Sequence, residues 1–322
     1  FMEEWRKGWH PETMNAKGIS SNVLVVGAGP AGLEAARACA ERGYDVALAE
    51  AGSVLGGRIT KERRLPGLSA WGRVADYRTY QLSQKSNVET YLESALDAAH
   101  ILEFGFENIC IATGSSWRAD GVSRQHLTPM PIDSAMPVFT PDDLMTGNLP
   151  SGNVTVYDDD HYYMGGVLAE LLVQKACQVT LITPCAYVSD WTRNTLEQAE
   201  IHKRLVEIGV VIQLNRGVLA IGDGSITTNC IYTEQTRQQE TDAVVIVASR
   251  LPDDQTYVDL KSRAADWADA GIKSVQLIGD ANAPGPIAWA TYAGHNYARG
   301  LDTEDIGDAL PFRREIAELA KE

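Results

Sequence analysis

The chain has 322 residues, a formal net charge of −15 at pH 7, 44% hydrophobic residues and 22% charged residues. These values are typical of a globular protein that buries one large core or two ordinary ones. No apolar run reaches the roughly 18–20 residues that a membrane span needs. The excess of carboxylates also argues against a nucleic-acid partner, because phosphate backbones are bound by clustered Lys and Arg.

The cysteines follow no metal-binding or redox pattern. Five are present, at irregular spacing and without a C-x-x-C pair: Cys39, Cys110, Cys177, Cys185 and Cys230. An odd number without pairs favours a reduced, cytoplasmic protein with neither a redox-active disulfide nor an iron–sulfur or zinc ligand set. We predict that Cys39 and Cys110 are small core residues.

Residues 1–21 are polar, aromatic and aperiodic, and the chain begins with Phe rather than Met. No signal-peptide pattern is present. We interpret this segment as a linker from a missing upstream region.

A strand, a glycine-rich turn, a helix and a second strand follow one another over residues 22–50. Residues 22–26 (NVLVV) are apolar and β-branched, as in a buried parallel strand. Gly27, Gly29 and Gly32 then have the G-x-G-x-x-G spacing at the start of a helix predicted over 33–42. The first glycine permits a tight turn, the second lets a pyrophosphate approach the backbone, and the third allows close helix–strand packing.

Glu50 ends the second strand, predicted over 46–49, where a carboxylate would accept hydrogen bonds from both ribose hydroxyls of an adenosine. The strand, the turn, the helix and the acid together predict adenine-nucleotide binding.

Three later segments have the composition of cofactor-binding loops. Residues 51–58 end in G-G-R, which suits a loop that closes on ribose and pyrophosphate, although an ordinary turn is the alternative. A strand over 108–112 leads into A-T-G, and a strand over 275–278 leads into G-D-A and a helix over 287–297. The acid of G-D-A would meet the ribityl or pyrophosphate end of a cofactor, or serve only as a helix cap. The predicted nucleotide-binding residues are Gly27, Ala28, Gly29, Pro30, Ala31, Gly32, Glu50, Ala51, Gly57, Arg58, Ala112, Thr113, Gly114, Gly279 and Asp280.

A predicted helix over 70–83 carries Trp71, Tyr77 and Tyr80. We interpret these aromatic residues as packing or surface residues rather than as part of a cofactor site.

A second βαβ unit begins near residue 151, with strands over 153–157 and 179–183 around a helix over 165–175. Its turn reads D-D-D-H-Y-Y-M-G-G, so Asp158 and Asp160 take the positions of Gly27 and Gly29. An aspartate blocks close approach of a phosphate, and adjacent carboxylates repel it by roughly 1–4 kcal/mol per close pair. We therefore predict that this unit keeps the fold without binding NAD(P)H. We predict no metal site there either, because consecutive residues rarely converge on one ion.

These patterns predict an α/β fold with two Rossmann-like (FAD/NAD(P)-binding) three-layer domains, the second inserted in the first. The predicted boundaries are 22–150 plus 271–322 for the nucleotide-binding domain and 151–270 for the degenerate one. An antiparallel meander over 218–240 and a buried strand over 242–248 belong to the second.

Short motifs along nearly the whole chain resemble the trimethylamine and dimethylamine dehydrogenase family, which is related to 2,4-dienoyl-CoA reductase and has a pyridine-nucleotide–disulfide oxidoreductase-like fold. The strings are R-K-G-W-H-P (6–11), V-G-A-G-P-A-G (26–32), P-G-L (66–68), D-Y-R (76–78), D-x-x-Y-x-M (159–164), L-I-G-D-A (277–281) and A-G-H (293–295). Gly27, Ala28, Gly29, Gly32, Glu50, Gly57, Arg58, Gly279 and Asp280 match the family's first nucleotide site.

The resemblance implies an upstream (β/α)₈ barrel with FMN and a 4Fe–4S cluster, neither of which is present in this chain. It further implies electron delivery to an electron-transferring flavoprotein. In amine dehydrogenases this region holds ADP, whereas in the reductase branch it holds FAD and takes hydride from NADPH. No catalytic residue carries over, because the catalytic groups belong to the barrel.

The motifs and the resemblance leave three hypotheses for the function. We favour the nucleotide-binding C-terminal portion of an amine-demethylating flavoprotein dehydrogenase. The alternatives are a freestanding NAD(P)H-dependent FAD reductase and a non-enzymatic domain that uses ADP as a structural ligand. The sequence leaves open ADP versus FAD, the amine, and whether the chain forms a homo-oligomer.

Overall fold

The computed structural model describes residues 14–303, so the R-K-G-W-H-P string lies outside the described residues. Within that range no helix is both long and apolar enough to cross a membrane. The first elements in chain order are β1 (Asn22–Val26), α1 (Pro30–Glu41), β2 (Asp45–Ala49), α2 (Ile59–Glu62), a 3₁₀ turn (Ser69–Gly72), α3 (Arg73–Ser83), β3 (Val88–Tyr91), α4 (Ala98–Phe104), β4 (Asn108–Ile111) and β5 (Ser115–Trp117).

The middle of the chain forms a second group of elements. They are β6 (Val138–Phe139), α5 (Pro141–Met145), β7 (Asn153–Asp158), α6 (Met164–Gln174), β8 (Gln178–Ile182), a 3₁₀ turn (Asp190–Arg193), α7 (Gln198–Glu207), β9 (Val211–Gln213), β10 (Arg216–Gly222), β11 (Ser225–Cys230), β12 (Thr236–Glu240), β13 (Ala243–Val247) and β14 (Arg250–Pro252). The chain then returns to the first group. The last elements are α8 (Gln255–Ser262), a 3₁₀ turn (Ala264–Asp266), α9 (Trp267–Ala270), β15 (Ser274–Leu277), a 3₁₀ turn (Gly279–Ala281) and α10 (Ile287–Gly300).

Two five-stranded parallel sheets form the cores of the two halves. Their strand orders are β15-β4-β1-β2-β3 and β6-β13-β7-β8-β9. Their central strands are buried on both faces, as expected for parallel sheets covered by helices. The fold is thus a pair of Rossmann-like α/β units with the second inserted in the first, as the sequence predicted.

Two strands carry the chain between the halves. β5 leaves the first half and β14 returns to it, and the two pair with each other antiparallel. The meander β10-β11-β12 forms a separate three-stranded antiparallel sheet on the inserted half.

Helix α1 packs closely against α10. A Cβ on Gly294 would lie only 2.2 Å from the carbonyl oxygen of Ala31, so the glycine permits this approach. Glu34 on α1 is 4% exposed and bonds Arg78 of α3 (Nε–Oε2, 2.7 Å) and His295 of α10 (Nδ1–Oε1, 3.1 Å). The D-Y-R and A-G-H strings therefore contribute the side chains that join α3 and α10 to α1.

Two predicted helices have different starts. Helix α1 begins at Pro30 instead of residue 33, because proline has no N–H to lose in the first turn of a helix. The predicted helix over 70–83 begins as a 3₁₀ turn. The Leu68 amide donates to the Leu65 carbonyl and the Trp71 amide to the Leu68 carbonyl. Both bonds span three residues, so the chain enters the segment Ser69–Gly72 already in 3₁₀ geometry. Cys39 and Cys110 are fully buried, as predicted.

Candidate functional site

A cavity of about 520 Å³ lies at the carboxyl end of the first sheet, between the two halves. This is where doubly wound α/β proteins bind ligands, because the loops that follow the strands converge there. The predicted nucleotide-binding residues that line it are Gly27, Ala28, Gly29, Pro30, Ala31, Glu50, Gly57, Arg58, Ala112, Thr113, Gly114 and Asp280.

The glycine turn places backbone against backbone. Gly27 has a φ of +100°, and a Cβ there would lie 2.4 Å from the carbonyl oxygen of Ala112. A Cβ on Gly32 would lie 1.8 Å from the carbonyl oxygen of Gly27. Gly29 differs from both, because a Cβ on it would meet nothing within 4 Å. Gly27 and Gly32 are therefore required by the fold, whereas Gly29 keeps open the space in front of it.

The N-terminus of α1 faces this space without a side-chain cap. Its N-cap residue is Gly29, and no side chain among residues 14–303 bonds the amides of its first turn. Uncapped amides at a helix N-terminus, together with the helix dipole, form an anion site. A pyrophosphate fits here.

Glu50 lies beside the same turn. Its Oε2 accepts a hydrogen bond from the Ala28 amide at 2.8 Å, and its Oε1 accepts one from the Gly52 amide at 2.7 Å. Each carboxylate oxygen has a second lone pair for a ribose hydroxyl. The two amides fix the direction in which the carboxylate points, so the side chain is held ready rather than free to rotate.

A network of two arginines and one aspartate crosses the far end of the cavity. Asp280 Oδ2 accepts hydrogen bonds from Arg58 Nη2 (2.7 Å), Arg250 Nη1 (2.5 Å) and Ser115 Oγ (3.2 Å). Its Oδ1 accepts one from the Gly285 amide at 3.1 Å. Both oxygens of this carboxylate are therefore bonded to protein groups.

Glu62 forms an ion pair with Arg58, with 3.0 Å between Glu62 Oε1 and Arg58 Nε. Burial raises the pKa of Glu62, and the Arg58 charge opposes this rise. Burial also lowers the pKa of Arg250, as does the neighbouring charge of Arg58. The third guanidinium nitrogen, Nη1 of Arg58, is buried without a hydrogen-bond partner among the described residues. An oxyanion in the cavity would supply that partner.

Aromatic side chains from both halves line the remaining wall. Trp71 meets Tyr163 edge to face at 5.3 Å between ring centroids, and Tyr162 lies 4.4 Å from Tyr163. Trp71 packs against the core of the inserted half, as predicted for a packing residue, and it also lines the cavity. Tyr77 and Tyr80 of the same segment are instead exposed on the surface. Trp71 reaches the cavity because the 3₁₀ turn that carries it packs against the inserted half.

Several lining residues were not predicted as site residues. Arg250, Trp117 and Ser115 lie on the two connecting strands, and Tyr162 and Tyr163 lie in the loop before α6. None belongs to a local motif of the first half, so no spacing rule could assign them. Three predicted residues are not part of the lining. They are Gly32, which is packed beneath the turn, exposed Ala51, and Gly279, whose Cβ would lie 2.5 Å from that of Ala31.

The corresponding turn of the inserted half is filled by its own side chains. Asp158 is fully buried, and a Cβ on Gly165 would lie 2.5 Å from its Cγ, so the carboxyl group lies against the start of α6. Asp159 Oδ1 lies 2.8 Å from His161 Nε2. Of the three adjacent aspartates, Asp160 lines the cavity, whereas Asp158 and Asp159 are buried.

The titration of these groups follows from their burial and pairing. Burial raises the pKa of Asp158 to about 7, although the nearby His161 opposes the rise. Burial by itself would lower the pKa of His161, but its bonds to Asp159 and Cys185 raise it to about 10. The chain segment before β6 also packs over this turn, where the Gln125 amide donates a hydrogen bond to Asp159 Oδ2 at 3.0 Å. A dinucleotide would have to displace these contacts.

Comparisons with known proteins agree with this geometry. A family model for NAD(P)-binding Rossmann-like domains matches residues 25–95. Dimethylamine dehydrogenase of Hyphomicrobium sp. (strain x) is 34% identical over 97% of this chain and 46% of the relative. This chain is homologous to dimethylamine dehydrogenase over nearly its whole length.

Two solved structures of amine-oxidising enzymes share the fold throughout. Histamine dehydrogenase from Rhizobium sp. 4-9 is 64% identical, has a TM-score of 0.95 and covers 100% of this chain and 47% of its own. The 6-hydroxypseudooxynicotine amine oxidase from Pseudomonas geniculata N1 is 42% identical, has a TM-score of 0.88 and covers 94% of this chain and 45% of its own. The chain thus spans about half the length of the family members it matches.

Proposed function

We propose that this chain is the adenine-nucleotide-binding portion of an amine-oxidising flavoprotein dehydrogenase, and that its nucleotide is ADP. The observation that carries the proposal is the arrangement of Glu50, the open space at Gly29 and the uncapped start of α1 around one cavity. Glu50 would bind the ribose hydroxyls, and the amides of α1 would bind the pyrophosphate. This part of the proposal applies equally to ADP and to the ADP portion of FAD.

The network at Asp280 favours ADP over FAD. In a flavin site the aspartate of the G-D-A motif would accept a hydrogen bond from the ribityl chain. Here Asp280 Oδ2 already accepts three bonds, from Arg58, Arg250 and Ser115. Only Oδ1, which accepts one bond from the Gly285 amide, keeps a lone pair for a ribityl hydroxyl. Replacing charge-assisted bonds of this kind costs about 1.5–3 kcal/mol each. The same network leaves Nη1 of Arg58 for a terminal phosphate.

A freestanding NAD(P)H-dependent reductase is less well supported. It needs a second dinucleotide site, and in the inserted half Asp158, Asp159 and His161 take up the turn that would hold the pyrophosphate. Strand β8 also leads into Thr183 and Pro184, which offer neither an acid for a ribose nor an arginine for a 2′-phosphate.

The chemistry of the whole protein is a further part of the proposal. We infer an upstream barrel domain that would hold FMN and a 4Fe–4S cluster, with amine oxidation at the FMN. We infer that electrons leave to an electron-transferring flavoprotein. On this view the chain described here supplies no catalytic acid, base or nucleophile, and its nucleotide has a structural role between the two halves.

Ligand titration of the purified chain after removal of bound nucleotide tests the proposal. We expect calorimetry to show one ADP bound per chain, and we expect ADP to raise the melting temperature of the chain. We expect no heat of binding from NADPH and no oxidation of NADPH. Binding of NADPH with reduction of an added flavin would overturn the proposal in favour of the reductase.

A further inference from the structure

A second cavity lies on the inserted half, where the meander β10-β11-β12 passes the edge strand β9. It has a volume of about 430 Å³, and we call it the arginine groove. Its lining residues are Gln213, Leu214, Arg216, Thr228, Arg237, Gln238 and Gln239. None of them is acidic, although the chain carries a net charge of −15. The groove is therefore positively charged, whereas the chain as a whole is negatively charged.

The strand register brings the two arginines to one groove. Thr228 pairs with Arg237 across β11 and β12, and its hydroxyl accepts a hydrogen bond from Arg216 Nη1 at 3.2 Å. The same hydroxyl donates to the carbonyl oxygen of Arg237 at 3.4 Å. Thr228 is 1% exposed, so it is a fixed anchor for the Arg216 side chain.

The guanidinium groups of this groove lack acidic partners within residues 14–303. Neither Arg216 nor Arg237 forms an ion pair with a described carboxylate, whereas Arg63 pairs with Asp76 at 2.8 Å and Arg204 with Glu170 at 2.7 Å. Two like charges in one groove repel each other unless an anion lies between them. Guanidinium groups bind phosphate oxygens through paired hydrogen bonds.

We propose that the arginine groove binds a small anion with a phosphate group, held by Arg216 and Arg237. Gln213 Nε2 donates to Gln239 Oε1 at 2.7 Å, which uses the oxygen of that amide and leaves its NH₂ group as a further donor. Leu214 offers an apolar contact for the organic part of a phosphate ester. This site is separate from the nucleotide cavity and does not depend on the function proposed for it.

Cys230 provides a reporter for the groove. It is the register partner of Arg216 across β10 and β11. Hydrogen bonds from Thr233 and from the Tyr232 amide lower the pKa of the Cys230 thiol to about 7, and the charge of Arg216 adds to this. An anion on Arg216 would offset part of that charge, so it would slow alkylation of the thiol.

Calorimetric titration of the full chain with inorganic phosphate and with glycerol 3-phosphate tests the proposal. Saturating ADP keeps both probes out of the nucleotide cavity. We expect one phosphate per chain, with binding that weakens as salt rises. Arg216→Gln and Arg237→Gln should each weaken binding by about tenfold or more. Arg193→Gln, at an exposed arginine paired with Asp190, is the matched control.

The relative affinities of the two probes identify the class of ligand. Tighter binding of glycerol 3-phosphate than of inorganic phosphate would support an organic phosphate as the ligand, and equal binding would support phosphate itself. Phosphate should also slow the reaction of Cys230 with iodoacetamide at pH 7 in the parent chain but not in the double arginine variant. Absence of binding, or equal binding in the parent and the double variant, would overturn the proposal.

Discussion

The Glu50 carboxylate accepts a hydrogen bond from the backbone amide of Ala28 at 2.8 Å, which ties the end of β2 to the glycine turn after β1. The acid that would bind a ribose is thus fixed by the loop that would bind the pyrophosphate. Twenty-two residues separate the two in sequence, but the parallel register of β1 and β2 brings their ends together.

Replacement of Glu50 by Ala should weaken ADP binding by about 1.5–3 kcal/mol, or roughly tenfold to a hundredfold, because a charge-assisted hydrogen bond to the ribose is lost. The affinity can be measured by calorimetry. Glu89→Ala, at an exposed acid on the neighbouring β3, is the control and should leave it unchanged. Equal affinities of the Glu50 variant and the parent would remove Glu50 from the site.

Two glycines of one motif should respond in opposite ways to alanine. Gly29→Ala should keep the melting temperature of the nucleotide-free chain, because the added Cβ meets nothing within 4 Å, and it should weaken ADP binding at least about tenfold by obstructing the pyrophosphate. Gly32→Ala should lower the free energy of unfolding by about 2 kcal/mol or more, because its Cβ would lie 1.8 Å from the Gly27 carbonyl oxygen. Thermal unfolding and ADP titration of both variants distinguish the two roles. The reverse pattern would contradict them.

The Glu34 cluster should stabilise the fold in its ionised form. Burial by itself would raise the pKa of Glu34, but its bonds to His295 and Arg37 and the charge of Arg78 lower it to about 2. A lowered pKa gives stability that is present above the ordinary carboxyl pKa and is lost as pH falls through about 2. Glu34→Gln should therefore cost about 3 kcal/mol at pH 7, with a smaller difference as pH falls from about 4.5.

Denaturant unfolding at several pH values measures this effect. Glu103→Gln, at an exposed acid of α4, is the control. A constant difference between Glu34→Gln and the parent across the acid range would show that the carboxylate charge is not what stabilises the cluster.

His161 should give the opposite dependence on pH. Its pKa is raised to about 10, so its charged form contributes stability below the ordinary histidine pKa of about 6.5, and this is lost as pH rises through about 10. His161→Asn keeps a residue type that tolerates the positive φ of 65° at this position. It should destabilise the chain at pH 6 and flatten the loss of stability between pH 6.5 and 10, whereas exposed His100→Asn should do neither. An unchanged pH profile in His161→Asn would contradict the assignment.

Most residues that the sequence predicted for the nucleotide site line the cavity, whereas the lining residues from the connecting strands and the inserted half were not predicted. The β1–turn–α1–β2 unit has local signals, since the glycines and Glu50 follow one another at fixed spacing within 29 residues. Trp71 and Arg250 belong to no such unit. They reach the cavity because β5 and β14 pair between the halves and because a 3₁₀ turn packs against the inserted half, and both facts depend on tertiary contacts.

In the inserted half, the sequence did not predict the directions of the acidic side chains. The letters D-D-D-H correctly indicate that a glycine turn is missing, but they do not say where each carboxylate points. Asp158 is buried at the end of β7, Asp159 pairs with His161, and only Asp160 faces the cavity. Alternation of side chains at a strand end and the positive φ of His161 set these directions, and neither is visible as a motif.

The identity of the nucleotide that the purified chain releases on denaturation tests the central claim most directly. The proposal predicts a colourless supernatant that contains ADP, close to one per chain, and much less of it from the Glu50→Ala variant. A yellow supernatant with the absorbance of a flavin and FAD as the released nucleotide would contradict the assignment of ADP. A supernatant without any adenine nucleotide, from a chain that also fails to bind added ADP, would contradict the site itself.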